Sequence, residues 1–480
     1  MKSPNKIFIK RRTFWVIILP ISAITTVILG VVVFLFLNSG SAKLRDYKRI
    51  LEQSGETLDI ATLAPQAAAE ENSAGEFLAA IKELSSAAKE IPSLLPGKNA
   101  DSEGTAPLLA DAPEPQFKKD GDRGTWEEAQ AQYDPLDPLL RKVREVSKSP
   151  VIETQPDFHL GFEMPIEGLG DSLKTSSVLA GDGLLKLRQE NAAAVIDDIE
   201  AILQIARVFQ KQPLIISQML SRVSVDLARK LTWSLLQEHI ATEQELSRLQ
   251  TLWTEVDLLS SLVATLRMER ACGALTFGFP AKKFATTMES AFGLDDSSKE
   301  TKQNISLLAW TWKIAYRNDD ELLFLESYQR LIDAAKTARD SGNWKPFTDA
   351  TDSITSYPPT LIVSRLTFIS VASALTQILE TQALTELTIA AIALERYAST
   401  EIGHPSTLEE LVPEYLASVP IDPFDGRPVR YQASTSGAFS LYSVGINGSD
   451  DQGDASPLAN PRQQRDIVWP RPQPVEEPAQ

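Results

Sequence analysis

Asn447, Asp450, Asp451 and Asp454 fall within eight residues of the stretch LYSVGINGSDDQGD (441–454), between glycines that let the backbone turn sharply. Oxygen donors at that density suit a hard cation. Calcium takes six to eight oxygens, from carboxylates and from carbonyls in a flexible loop. Spacing excludes a helix–loop–helix calcium loop: counted from Asn447, position 6 is Gln452 where glycine is needed, and position 12 is Leu458 where glutamate is needed. Two readings stay open. One is a cation loop of another design, and the other is an Asn447–Gly448 hairpin turn followed by solvated carboxylates.

Other reactive residue types are sparse. Ser86 and Lys89 in SAAK have Ser-x-x-Lys spacing without any accompanying motif, so they read as a helix-surface pair. The single Cys272 excludes an intrachain disulfide framework and reads as a small buried apolar residue. The three histidines are scattered and lack zinc spacing. Trp310, Trp312, Tyr316, Phe324 and Tyr328 lie at helical spacing, which serves either a core or a ligand groove. With no nucleophile–base pair and no phosphate loop, the chain points away from an enzyme unless a dispersed site forms on folding.

The elements that position these residues begin with an address. Residues 13–37, TFWVIILPISAITTVILGVVVFLFL, carry no charge over 25 positions, enough to span a roughly 30 Å hydrocarbon core as a helix. A cleaved signal peptide is the alternative, but its apolar region would be shorter. Residues 1–12 hold five basic groups and no acid, which orients a single-pass anchor with its N-terminus in the cytoplasm. The bulk would then be periplasmic, on the outer side of the inner (plasma) membrane. The other 468 residues carry 42 basic against 64 acidic groups, a charge of −22. Such a body repels phosphate backbones, so nucleic acid is not an expected partner.

Beyond the span, 38–91 reads as a juxtamembrane helical segment and 92–138 as a Pro/Gly/Asp-rich linker. The helical body covers 139–384. Val195, Ile196, Ile199, Ile202, Leu203, Ala206 and Phe209 share one helical face. Ile216, Leu220, Val223, Leu227, Leu231 and Leu235 form a second stripe, and Leu249, Leu252, Val256, Val263 and Leu266 a third. The third follows a capping box from Thr242 to Glu245. Further helices are expected at 301–316, 320–340 and 361–397. Short breaks imply antiparallel, repeat-like hairpins. The fold class is therefore mainly α.

Residues 385–470 change character. Pro405, Leu408, Leu411, Val412, Tyr415 and Leu416 suit a short amphipathic helix, PIDPFDG (420–426) is turn chemistry, and Val429/Tyr431 with Phe439/Leu441 alternate as a hairpin. A small antiparallel α+β module is expected, followed by a disordered tail at 471–480. The order of motifs here is a helix ending in Tyr397, then PSTLEELVP, DPFDGRPVRY, YSVGINGSDD and RDIVW. It resembles the C-terminal module of type II secretion major pseudopilins, over about 85 residues. The resemblance implies calcium in the loop after the strand pair, with Asn447 and Asp466 matching the family's ligand positions and Asp450, Asp451 and Asp454 between them. It does not extend to the family's N-terminal cleavage site, so it implies a module and not a filament subunit. The whole chain looks like a membrane-anchored bacterial envelope protein.

The expected function is a structural or interaction protein of the envelope, with protein partners there. An accessory part of a type II secretion or pilus-like machine is one alternative. An envelope hydrolase with a dispersed site in the helical body is the other.

Overall fold

The computed structural model describes residues 40–65, 72–91, 93–94, 105–106, 124–291, 293–294, 297–354, 357–401, 403–433, 439–456 and 465–472. The expected span at 13–37 and its basic tail lie outside the described residues, as do most of 92–123 and the tail beyond 472. The protein is mainly helical, with a small antiparallel three-stranded sheet near its C-terminus.

In chain order the helices of eight residues or more are α1 (40–53), α2 (Ala74–Ala87), α3 (Trp126–Tyr133), α4 (Asp137–Ser147), α5 (Leu169–Arg188), α6 (Ala192–Gln210) and α7 (Ile215–Glu238). After them come α8 (Glu243–Thr254), α9 (Leu262–Thr276), α10 (Ala281–Ala291), α11 (Lys299–Ala315), α12 (Arg317–Ser341), α13 (Lys345–Ser353) and α14 (Ile362–Thr400). The strands are β1 (Thr105–Ala106), β2 (Arg430–Ala433), β3 (Phe439–Ser443), β4 (Ile467–Val468) and β5 (Arg471–Pro472). The chain divides into two compact units. One holds Met1–Thr57, Ala274–Glu326 and Tyr357–Leu366, and the other holds the rest.

The larger unit is built on α5, α6 and α7, which pack mutually. Every residue of the α6 stripe, from Val195 to Phe209, is buried. Gly181 and Gly183 on α5 permit the close approach: a Cβ at Gly181 would lie 2.1 Å from the Tyr133 hydroxyl, and one at Gly183 2.4 Å from Leu231. Arg144 of α4 bridges Asp182 and Asp198, donating to Asp198 at 2.7 Å, so this half-buried cation is paired with two buried carboxylates. The capping box at Thr242 forms as expected, with Glu245 N–H to Thr242 Oγ1 at 3.3 Å and Thr242 N–H to Glu245 at 2.8 Å.

Helix α14 is long and apolar enough to cross a membrane, yet half of its most apolar window is buried inside the fold. Phe368, Leu375, Ile378, Leu387, Ile392 and Leu394 are fully covered. Leu366 and Ile369, near its start, stay exposed.

In the C-terminal region β2 pairs antiparallel with β3 (Tyr431 opposite Leu441), and β3 with β4 (Tyr442 opposite Val468). The expected short helix is a single 3-10 turn, Leu408–Leu411. Trp233 Nε1 donates to the Pro470 carbonyl at 2.9 Å, and Gln250 to the Tyr415 carbonyl at 2.6 Å. The region is thus bonded into the larger unit.

Several expectations need correction. Helix α3 starts inside the stretch read as linker, because Thr125 and Glu128 form a capping box while Trp126 and Tyr133 bury against the body. The linker also supplies β1, which runs parallel to β5 at the start of the stretch read as tail. In the second stripe Ile216 is 50% exposed, and Val223 and Leu227 are half-buried. Helices α10 and α13 were not anticipated.

In the smaller unit, Trp312 of α11 is buried, stacked on Phe284 at 4.1 Å between ring centroids. Its indole N–H donates to Asp320 at 2.8 Å. The same carboxylate accepts the N–H groups of Val363 (2.9 Å) and Ser364 (3.0 Å), capping the first turn of α14. Lys48 of α1 and Arg317 both reach the buried Glu321, at 2.5 and 3.1 Å.

Candidate functional site

The acidic loop is placed by β3 and β4. Left-handed backbone at Gly445 and Gly448 turns the chain out of β3, and Gln452 and Gly453 turn it back, all with positive φ. Each of the five expected ligands then meets a protein partner. Asp466, 1% exposed, accepts the N–H groups of Asp451 (3.2 Å) and Gly453 (2.7 Å). Burial holds its carboxyl above the usual range, against the pull of those two bonds. Asn447 donates its amide to Asp451 at 2.9 Å, Tyr442 donates its hydroxyl to Asp450 at 3.1 Å, and Arg465 pairs with Asp454. As arranged, amide groups, one hydroxyl and one guanidinium already occupy the oxygens of the loop. Among the described residues no three His, Cys, Asp or Glu side chains converge as a metal group. This donor set does not fit a calcium cage without rearrangement.

Asp422, from the DPF turn, is the strongest polar centre of the region. It is fully buried and accepts from the N–H groups of Phe424 (3.0 Å) and Val444 (2.8 Å), from Ser443 Oγ (2.9 Å) and from Arg430 (3.2 Å). Burial still raises its pKa against all of these. It joins the DPF turn to the end of β3. That is a structural task.

A different arrangement sits in the helical body. A cavity of about 580 Å³ opens between the 161–169 segment, the start of α7, α9 and α14. Met164, Leu214, Met219 and Val371 make its apolar walls, and Phe162 and Ile216 stand half-exposed along it. Its one ionisable group is Glu269 of α9, 7% exposed. The carboxylate accepts a single hydrogen bond among the described residues, from the Ile215 N–H at 2.8 Å, which caps α7. Burial pushes its pKa up to about 7, against that bond. The nearest titratable neighbours, Cys272 and Tyr328, are themselves pushed up by burial, Cys272 to about 12, so both stay neutral. Nothing around Glu269 in the sequence, RMERACGA, marks it out. A carboxylate between Met268 and Arg270 on a helix reads as solvated surface.

A third, smaller cavity of about 240 Å³ gathers His239, Glu395, His404 and Arg471. His239 Nδ1 lies 2.5 Å from Glu395, and the buried Nδ1 of His404 has no hydrogen-bond partner among the described residues. Burial lowers the pKa of His404, with Glu395 pulling it up and His239 down. The other singled-out residues take the bland roles. Cys272 packs in a core cluster with Phe158, Leu214 and Met268, and Ser86, Lys89 and His159 are exposed. Of the aromatic set, Trp312, Phe324 and Tyr328 are buried while Trp310 is 57% exposed.

The chain matches no family model, no curated protein and no solved structure at a significant level.

Proposed function

We propose that this chain is a membrane-anchored, extracytoplasmic interaction protein of the bacterial envelope, whose helical body binds an apolar ligand carrying one cationic or hydrogen-bond-donating head. The address rests on the uncharged run 13–37 and the basic residues before it. The binding role rests on one observation: the apolar cavity whose single ionisable wall residue is Glu269. Its volume lies in the range of small-molecule sites, roughly 300–1,000 Å³. A lone carboxylate in apolar surroundings favours a partner that supplies a proton or a positive charge. An alkyl chain with an amine head satisfies both halves of the site. The C-terminal region, read as a pseudopilin-like module, would face envelope partners.

The test is photolabelling of the full-length chain with a diazirine-bearing dodecylamine, followed by mapping of the labelled peptides. Labels should fall in 161–169, 214–219 and 367–374 and be competed by dodecylamine. Labelling should rise roughly tenfold from about pH 5.5 to pH 8 as Glu269 ionises, and the rise should vanish in Glu269→Gln. Ala374→Trp, which fills the cavity, should abolish the labels. Labels scattered over the surface, or unchanged by either substitution, would overturn the reading.

The His239–Glu395 pair favours a second reading, an envelope hydrolase that activates water. Among the described residues, no hydroxyl or thiol nucleophile lines that cavity. Loss of a hydrolytic activity in His239→Ala, with unchanged stability, would support it over the first.

A further inference from the structure

Helix α11 buries one side and leaves the other bare. Ala309 and Trp312 face the core of the smaller unit, while Leu307, Leu308, Trp310 and Ile314 are exposed by 62, 47, 57 and 46%. Leu307, Trp310 and Ile314 follow an i, i+3, i+7 spacing, so they form one strip on the outer face. A soluble helix places its charged residues there. The exposed apolar residues are also confined to one end. The first turns of α11 carry Lys299, Glu300, Lys302, Gln303 and Asn304, and the apolar strip occupies the second half. Such a change along the axis, in place of a change around it, suits a helix that dips from water into an apolar layer by its C-terminal end.

The chain path says what that layer is. The C-terminal end of α11 runs into Arg317, Asn318 and Asp319, and Gly40 at the start of α1 lies against this junction. A Cβ built on Gly40 would be 2.6 Å from the Asp319 carboxylate and 3.4 Å from the Asn318 side chain. Gly40 is three residues after the uncharged run that ends at Leu37. The first described residue after that run thus lies beside the junction into which the apolar end of α11 leads. Exposed Lys43 and Arg45 follow on α1, placed to meet anionic headgroups.

We propose that the outer face of α11, from Leu307 to Ile314, is a second membrane contact that lies in the lipid interface beside the anchor, with Trp310 at headgroup level. The inference rests on the anchored reading of residues 13–37. A large exposed apolar strip close to a bilayer is covered by lipid, and an interfacial Trp is the residue type expected at its border. One anchor plus one interfacial helix fixes the orientation of the smaller unit above the bilayer, where a lone helix would leave it free to swivel.

The experiment places an environment-sensitive nitrobenzoxadiazole probe on single cysteines in the full-length chain, reconstituted in vesicles of phosphatidylethanolamine and phosphatidylglycerol. Probe positions are Val27→Cys, Asn304→Cys, Trp310→Cys and Ile314→Cys; the native Cys272 is buried and stays unlabelled. Asn304 and Ile314 are separated by about 15 Å along the helix, a built-in depth ruler. The expected result is quenching at 27, 310 and 314 by spin-labelled lipid, with iodide access at 310 and 314 roughly threefold lower than at 304. Quenching at 27 with full iodide access at 310 and 314 overturns the α11 contact and leaves the anchor standing. Lack of lipid quenching at 27 overturns the anchor and this inference with it. Iodide exclusion at 310 and 314 without lipid quenching means that protein, such as a second copy, covers the face, and also overturns the proposal.

Discussion

Asp422 and Glu269 are both buried carboxylates whose pKa values burial raises, yet they are furnished in opposite ways. Four hydrogen bonds from the DPF turn, β2 and the end of β3 converge on Asp422, one of them from a guanidinium. Among the described residues a single backbone N–H meets Glu269, at the wall of a mainly apolar cavity. Saturation marks a group that the fold uses to hold itself together. A shortage of donors marks a group whose burial the fold tolerates at a cost, and such a group is the one left to meet a ligand.

Removing the saturated carboxylate should produce the larger loss. Asp422→Ala strands the Val444 N–H and the Ser443 hydroxyl and leaves Arg430 with Asp425 and the Pro428 carbonyl, so a loss of roughly 3–5 kcal/mol is expected. Denaturant unfolding of the full chain measures it. A loss below about 1 kcal/mol would place Asp422 with the dispensable groups and break the comparison.

Replacing the undersupplied carboxylate should have a smaller effect of the opposite sign. The pKa of Glu269 rises from 4.5 to about 7 on folding, so the folded state binds its proton more tightly than the unfolded state does. Its contribution is most favourable below the unfolded value, is lost as pH climbs from about 4.5 to 7, and stays lost above. Glutamine mimics the protonated form and keeps an acceptor for the Ile215 N–H. Glu269→Gln should therefore match the wild type near pH 4.5 and exceed it near pH 8, by at most about 3 kcal/mol. Parallel pH–stability curves for the two proteins would show that Glu269 is ionised and compensated by a partner.

The same contrast explains what the sequence could and could not reveal. Features written in local order were legible: the Thr242–Glu245 capping box, the α6 stripe, and the β2–β3 hairpin, though not its register. Half of Asp422 was legible too, because its bond to the Phe424 N–H is the turn chemistry expected of a DPF segment. Its bonds to Val444 and Ser443 arrive from more than twenty residues away. Glu269 was not legible at all, since its only donor among the described residues, Ile215, is 54 residues distant and its cavity is assembled from four separate segments. Ile216 misled for a related reason: periodicity assigns a helix face, but which part of that face is covered depends on what packs there. It lies over the cavity and is half-exposed.

The acidic loop gives the finest test, because it lies between the two extremes. Among the described residues, Asp466 is supplied with two N–H donors but no cation, while Asp454 has Arg465 and Asp451 has only the Asn447 amide. For calcium to bind as the pseudopilin resemblance implies, Asp454 must release Arg465 and Asn447 must turn its oxygen inward. Both steps subtract from the binding energy, so the ion would be held no more tightly than in weak extracellular modules, with Kd of roughly 10⁻⁴ to 10⁻³ M. At a concentration equal to Kd the gain is only about 0.4 kcal/mol, the smallest effect of the series. The melting temperature of the full chain should rise slightly with millimolar calcium, return with chelator, and stop responding in an Asp451→Ala/Asp466→Ala double variant. A rise of several degrees at micromolar calcium would mean that the loop is a built cation site, with its amide and guanidinium contacts only standing in for the ion. No response in the wild type would place all five residues with Asp422, as carboxylates and an amide that serve the turn.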